Sequence, residues 1–180
     1  MLVIGITGGV GAGKSLCLQA LKEHCNCKIV LADDVGNKVK EPGQKCYGKI
    51  VELLGEDVLK EVNAIIHPAV KEYILNSIQT EREKQEIDVF FLEAALLIEA
   101  GYLSYLDELW YIYSEKNARI KRLKESRAYS DEKIQQIMDS QLSDEEFKKH
   151  ADVVLDNSND FEHTLAQIKT ECIRLNLWKS

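Results

Sequence analysis

The sequence predicts an α/β fold in which a parallel five-stranded sheet carries helices on both faces. Three observations lead there. Short apolar runs alternate with helical stretches, and strands separated by helices make parallel crossovers. The runs LVIGIT and DVFFLE are apolar on successive residues, as strands buried on both faces are. The first run passes straight into glycines and then into a helical pattern, the strand–loop–helix order of a phosphate-binding unit.

Residues 2–7 form the first expected strand, and residues 14–25 a helix with Leu18 and Leu21 on one face. Residues 28–32 give a second strand that ends at Asp33. Tyr47, Ile50, Val51 and Leu54 recur at i, i+3, i+4 and i+7, an amphipathic helix closed by Gly55. Ile66, Val70, Tyr73, Ile74 and Ile78 mark another helix, entered near His67-Pro68 because proline suits a first turn. The charged residues 80–86 read as a solvated helix end or loop. Residues 88–93 are the best central strand, and residues 108–113 (ELWYIY) a fourth, rich in aromatic side chains. Ser143 and Glu146 have the spacing of a capping box. Residues 152–155 supply the fifth strand, and Phe161, Leu165, Ile168, Cys172 and Leu175 a closing helix. No repeat or linker interrupts the 180 residues, so one domain over 1–180 is expected.

A formal charge of −7 argues against a nucleic-acid or anionic-membrane partner, both of which favour a basic footprint. No apolar run reaches membrane-spanning length. The apolar start leads into glycines without a basic n-region, so a cytoplasmic location is expected. Five cysteines without a framework pattern read as reduced thiols in small apolar sites. The cluster of His24, Cys25 and Cys27 lacks a usual zinc spacing.

The strongest signal is Gly8-Gly9-Val10-Gly11-Ala12-Gly13-Lys14-Ser15, which fits G-x-x-x-x-G-K-[ST]. Glycines open backbone conformations that let several N–H groups converge on phosphate oxygens, and the following helix aims its positive end at the same place. Gly9, Val10, Gly11, Ala12, Gly13, Lys14, Ser15 and Leu16 are the expected nucleotide contacts. Lys14 would reach the β- and γ-phosphates of ATP, and the Ser15 hydroxyl would ligate Mg²⁺. The fold class is therefore a P-loop NTPase, three-layered α/β/α.

No guanine-reading Asn-Lys-x-Asp segment ends a strand, and the chain is short for an ATPase machine. A compact chain with a late basic helix suits the small-molecule kinases. Lys116, Arg119, Lys121, Arg122, Lys124 and Arg127 face one acid, Glu125, in that stretch. Most such runs are solvated helix faces. Arginine forks also stabilise charge that develops in phosphoryl transfer, and Arg122 and Arg127 are expected to face the nucleotide.

Further along the chain the sequence resembles the dephospho-CoA kinase family. The opening from Ile4 to Ser15 looks like that family's start, and Ala32-Asp33 is similar to its Asp-Ala-Asp signature. Glu41-Pro42-Gly43 is similar to its Pro-Gly, His67-Pro68 to its His-Pro, and Ala95-Leu96-Leu97-Ile98-Glu99 to its Pro-Leu-Leu-Phe-Glu. Gln141 and the run from Ala151 to Asn157 resemble its closing segment. The resemblance implies transfer of the ATP γ-phosphoryl group to the 3′-hydroxyl of dephospho-CoA, with ATP and Mg²⁺ as cofactors. It implies a reduced helical substrate-binding region at about 34–86 and a lid at about 116–150.

On that resemblance Asp33 is the candidate general base, with helix capping as its alternative. Glu93 either holds Mg²⁺ through water or caps the next helix. Asn157 would lie near the adenine. Asp33, His67 and Glu99 are the candidate substrate contacts, His67 being open between a structural and a substrate-facing role. The protein is expected as a monomer or weak homo-oligomer.

The match also departs from the family. Leu31 replaces the first aspartate of the signature, Gly36-Asn37 replaces an Ala-Arg, and Phe147 stands where a basic residue is usual. A segment normally lying between Val58-Leu59 and His67-Pro68 is absent. Such losses admit a nucleotide-binding homologue with little or no CoA-kinase activity, or a kinase of another small acceptor such as a nucleoside monophosphate.

Overall fold

The computed structural model describes residues 1–39 and 58–179. The helix expected at residues 47–54, Lys40 and the Glu41-Pro42-Gly43 match lie outside the described residues. The chain divides into a larger unit, Met1–Ile29 with Ile87–Ser180, and a smaller one, Val30–Glu86.

The five expected strands all form: β1 (Leu2–Thr7), β2 (Cys27–Leu31), β3 (Val89–Glu93), β4 (Glu108–Tyr113) and β5 (Val153–Asp156). They lie in the order β2-β3-β1-β4-β5. The pairs β1–β3, β1–β4 and β4–β5 are parallel. Val3, Ile4, Ile6, Phe90, Phe91, Leu92, Trp110 and Ile112 are wholly buried, so the three central strands are covered on both faces. Each such side chain contributes about 1.5–3 kcal/mol relative to exposure. β2 and β5 are the edges, and Val154 of β5 is exposed.

In the larger unit the helices are α1 (Lys14–His24), α4 (Lys116–Arg127), α5 (Asp131–Asp139), α6 (Asp144–His150) and α7 (Phe161–Arg174), with a short 3₁₀ turn at Leu103–Tyr105. Side-chain oxygens cap three of them. Ser130 accepts from the Lys133 N–H, Ser143 from Glu146 and Asp160 from His163. α7 closes the chain against the end of α1, where the Cys25 and Cys172 sulfurs lie 3.7 Å apart.

The smaller unit holds α2 (Ala32–Lys38) and α3 (Val58–Lys84). Buried Val35 and Val39 belong to the first segment, and Ala69, Val70, Ile74 and Ile78 to the second. The Lys38 ammonium donates to the Tyr73 hydroxyl at 3.0 Å. Two expectations need correction. Asp33 is not at a strand end but in the first turn of α2, beside Asp34. His67-Pro68 is not a helix start, because α3 begins earlier and carries Pro68 inside it. A proline there forfeits one backbone bond, and the buried Val70, Ile74 and Ile78 beyond it keep the helix continuous.

Candidate active site

Parallel strands carry ligands outside their carboxyl ends, where neighbouring connections part to opposite sides. β1 is such a strand. Its Ile6 pairs with Glu93 of β3 and its Thr7 with Tyr111 of β4. The glycine loop, residues 8–13, therefore leaves the sheet between Glu93 on one side and β4 on the other.

Glycine is required where the loop touches its surroundings. A Cβ on Gly8 would come within 2.5 Å of the Ile112 carbonyl oxygen, a backbone atom that cannot yield. Gly13, the N-cap of α1, sits in the left-handed region at φ 90°, and a Cβ there would strike the Asn157 amide. In the first turn of α1 the Leu16 N–H donates to the Gly13 carbonyl at 3.1 Å, while the N–H groups of Lys14 and Ser15 have no helical carbonyl a turn earlier and make an anion-binding end. No side chain caps them.

At the foot of this loop the Lys14 ammonium donates to the Gly8 carbonyl at 2.8 Å and lies 3.5 Å from Glu93 Oε1. Both side chains are mostly buried. Ser15 and Leu16 are exposed at the start of α1. The fit to a phosphate group with a divalent cation is good. The cradle is free of Cβ atoms at Gly9, Gly11 and Gly13, a lysine and a carboxylate flank it, and a hydroxyl opens beside it.

Two polar anchors grip the loop from outside. In the first, Asn157, 3% exposed, donates its amide to the Ala12 carbonyl at 2.7 Å. Thr164 donates to the Asn157 side-chain oxygen at 3.0 Å. Arg122 donates to the Asn157 carbonyl at 2.7 Å, to Ser114 Oγ at 3.0 Å and to the Ala12 carbonyl at 3.5 Å. In the second, Arg119 Nε donates to the Val10 carbonyl at 2.9 Å, and the Val10 N–H donates to Gln141 Oε1 at 2.9 Å. Arg119 Nη2 also donates to Gln141 Oε1 at 3.1 Å. Asp144 stands 3.9 Å from Arg119 Nη1 and accepts from the Tyr111 hydroxyl at 2.7 Å. Burial, and then that bond to Asp144, push the Tyr111 hydroxyl well above its ordinary value, so it is a fixed donor. Beneath the loop, burial pushes the Cys17 thiol up to about 12, opposed by the Arg122 charge.

The sequence-selected residues thus divide. The residues from Gly9 to Leu16, with Glu93, Arg122 and Asn157, gather around the loop. Arg127 ends α4, exposed, with its guanidinium 5.9 Å from the Tyr129 ring. Glu99 is exposed in the turns after β3. Asp33 and His67 are exposed in the smaller unit, on α2 and α3. Sequence reasoning passed over Arg119, Ser114 and Thr164, and took Gln141 only as part of a resemblance. One signal for Arg119 was present: it precedes the buried Leu123 by one helical turn, so both lie on the inward face of α4.

Comparison with known proteins agrees with this geometry. The family model CoaE, described as dephospho-CoA kinase, matches residues 2–62 and 58–163. A protein of Streptococcus mutans named dephospho-CoA kinase is 31% identical, covering 96% of this chain and 97% of its own. One of Carboxydothermus hydrogenoformans with the same name is 32% identical, covering 93% and 91%. These alignments run over 193 and 190 positions, more than the 180 residues here, so some of the relatives' residues have no counterpart. The two family-model matches meet at residues 58–62, where the sequence reading places the missing segment. Among solved structures, a Thermus thermophilus protein superposes with TM-score 0.77 at 22% identity, covering 96% of both chains. Campylobacter jejuni dephospho-CoA kinase gives 0.67 at 21%, with the same coverage. Shikimate kinase from Acinetobacter baumannii gives 0.57 at 15%, covering 98% of this chain and 94% of its own, a likeness of fold.

Proposed function

The chain belongs to the dephospho-CoA kinase family, and from that premise we propose how its residues divide the reaction. It is an ATP-dependent kinase that transfers the γ-phosphoryl group of ATP to the 3′-hydroxyl of dephospho-CoA, giving coenzyme A. The observation that carries this reading at the site is the Lys14–Glu93 pair at the foot of the glycine loop.

The backbone from Gly9 to Leu16 lines the ATP phosphates. Lys14 exchanges its contacts with Gly8 and Glu93 for phosphate oxygens and neutralises charge that builds up there. Ser15 and Glu93 would hold Mg²⁺, which when bound supplies further charge neutralisation on the phosphates. Asp33 accepts the proton of the 3′-hydroxyl as that oxygen attacks the γ-phosphorus. The bond to the bridging oxygen breaks, and ADP leaves. Arg122 and Arg127 support the nucleotide side. Arg122 does so with a guanidinium already fixed by Asn157 and Ser114. Asn157 shapes the loop near the nucleotide base. His67 and Glu99, exposed, face the acceptor. The helical region at about 34–86 serves the acceptor, and the segment at about 116–150 is the lid of a single catalytic domain. The segment missing from that region should weaken acceptor positioning more than it weakens ATP binding.

No helix among the described residues is long and apolar enough to cross a membrane. We place the enzyme in the cytoplasm, as a monomer or weak homo-oligomer acting on small molecules. The test is CoA formation from ATP, Mg²⁺ and dephospho-CoA, with Lys14→Ala and Asp33→Ala as controls. ATP binding without CoA formation would contradict the assignment.

A further inference from the structure

We propose that Arg119 and Gln141 form a latch that sets the Val10 peptide groups, making both of them positioning residues for phosphoryl transfer. The inference rests on the kinase reading given above and adds residues that this reading does not use.

Both polar groups of Val10 are held from outside the loop. Its carbonyl accepts from Arg119 Nε and its N–H donates to Gln141 Oε1, each at 2.9 Å. A third bond of 3.1 Å, from Arg119 Nη2 to Gln141 Oε1, ties the two side chains together. Orientation at Val10 is thereby fixed on both sides of the residue, which no single bond would do. Behind the latch, Asp144 faces Arg119 at 3.9 Å and is itself held by Tyr111 at 2.7 Å. Arg119 is 9% exposed, an uncommon burial for an arginine. A Cβ on Gly9 would overlap its guanidinium, so the glycine loop and this arginine are packed as one piece.

The latch has a consequence for the cradle. The Val10 N–H is engaged by Gln141 and the Ala12 N–H by the Gly9 carbonyl, so the donors left to face phosphate are those of Gly11, Gly13, Lys14 and Ser15. Their directions depend on the peptides the latch holds. The latch parts come from α4, from the connection between α5 and α6, and from α6. Movement of that segment therefore reaches the loop through Val10. A displacement of about 1 Å in a positioning element costs on the order of a hundredfold in rate.

The experiment compares Arg119→Ala, Arg119→Lys and Gln141→Ala with the unsubstituted protein. It reads ATP affinity, kcat, KM for each substrate and thermal stability. The latch predicts roughly a tenfold to hundredfold fall in kcat/KM for ATP, with KM for dephospho-CoA within about twofold. Arg119→Lys keeps the charge but loses the fork, and it should resemble Arg119→Ala. Added guanidinium ion should recover part of the Arg119→Ala loss. Arg119→Ala combined with Gln141→Ala should cost little more than either alone, because both act on one residue. Full recovery by lysine would overturn the latch in favour of a simple charge. Folded variants with unchanged kinetics and ATP affinity would overturn it as well. If Arg119→Ala does not fold, Gln141→Ala decides by the same measurements. Absence of CoA formation by the unsubstituted protein would instead sink the kinase reading, and the ATP affinities would still test the latch.

Discussion

The Lys14 ammonium lies 3.5 Å from the Glu93 carboxylate, the first residue of α1 meeting the last residue of β3, the strand beside β1. Adjacent strands bring these two residues together, although 79 positions separate them. Lys14→Ala should abolish CoA formation. Glu93→Gln should leave ATP binding within a few-fold, lower kcat by about tenfold to a hundredfold, and raise the Mg²⁺ concentration needed for half-maximal rate. A Mg²⁺ titration of the rate checks this. An unchanged half-maximal concentration would contradict a role for Glu93 in holding Mg²⁺.

Asn157→Ala removes the shorter of the two donors to the Ala12 carbonyl and one of the two acceptors of the Thr164 hydroxyl, which also donates to the Asp156 carbonyl at 3.0 Å. Losing these two bonds costs about 1–3 kcal/mol, at about 0.5–1.5 kcal/mol each, a fall of roughly 2–4 °C in Tm for each kcal/mol at this length. The cost should be visible in urea unfolding without ligand, and ATP affinity should fall with it because the loop loses its anchor. Retained stability would mean that Arg122 alone supports Ala12.

Gly13→Ala forces a side chain into the left-handed region and into the Asn157 amide at once. Loss of nucleotide binding is expected, with stability reduced by more than 1 kcal/mol, since αL strain alone costs about that much. Gly101, also at positive φ but with open space around it, is the control. Gly101→Ala should show the strain cost and keep its kinetics.

Buried thiols should make the protein weaken in alkali. Burial pushes Cys17 up to about 12 and Cys27 up to about 11, against an ordinary value of 9.0. Above pH 9 the unfolded chain releases these protons while the folded chain keeps them. The unfolded state then binds fewer protons, so stability falls as pH rises. Their contribution is whole below pH 9 and is lost between there and about 11 to 12. Urea unfolding between pH 8 and 11 should show a steeper decline for the unsubstituted protein than for Cys17→Ala. Equal slopes would contradict the burial of Cys17.

Much of this fold was legible in the sequence because its physics is local. Apolar runs at β1 and β3 mark strands buried on both faces, and the glycine loop is a chemical requirement written in eight residues. The path of α3 was not legible. Pro68 reads as a helix start when only neighbours are weighed, whereas burial of Val70, Ile74 and Ile78 is decided by tertiary packing. Arg119 was missed for a related reason. Within a run of six cations its charge suggests solvent or phosphate, yet its partners are a backbone carbonyl and Gln141, which leave no pattern in composition. Gln141 itself carries no charge or periodicity to mark it.

The central claim is most directly tested by incubating the purified protein with ATP, Mg²⁺ and dephospho-CoA and measuring ADP and coenzyme A together. Stoichiometric formation of both, abolished by Lys14→Ala and by Asp33→Ala, is the result predicted here. ATP binding at normal affinity with no coenzyme A formed would contradict it.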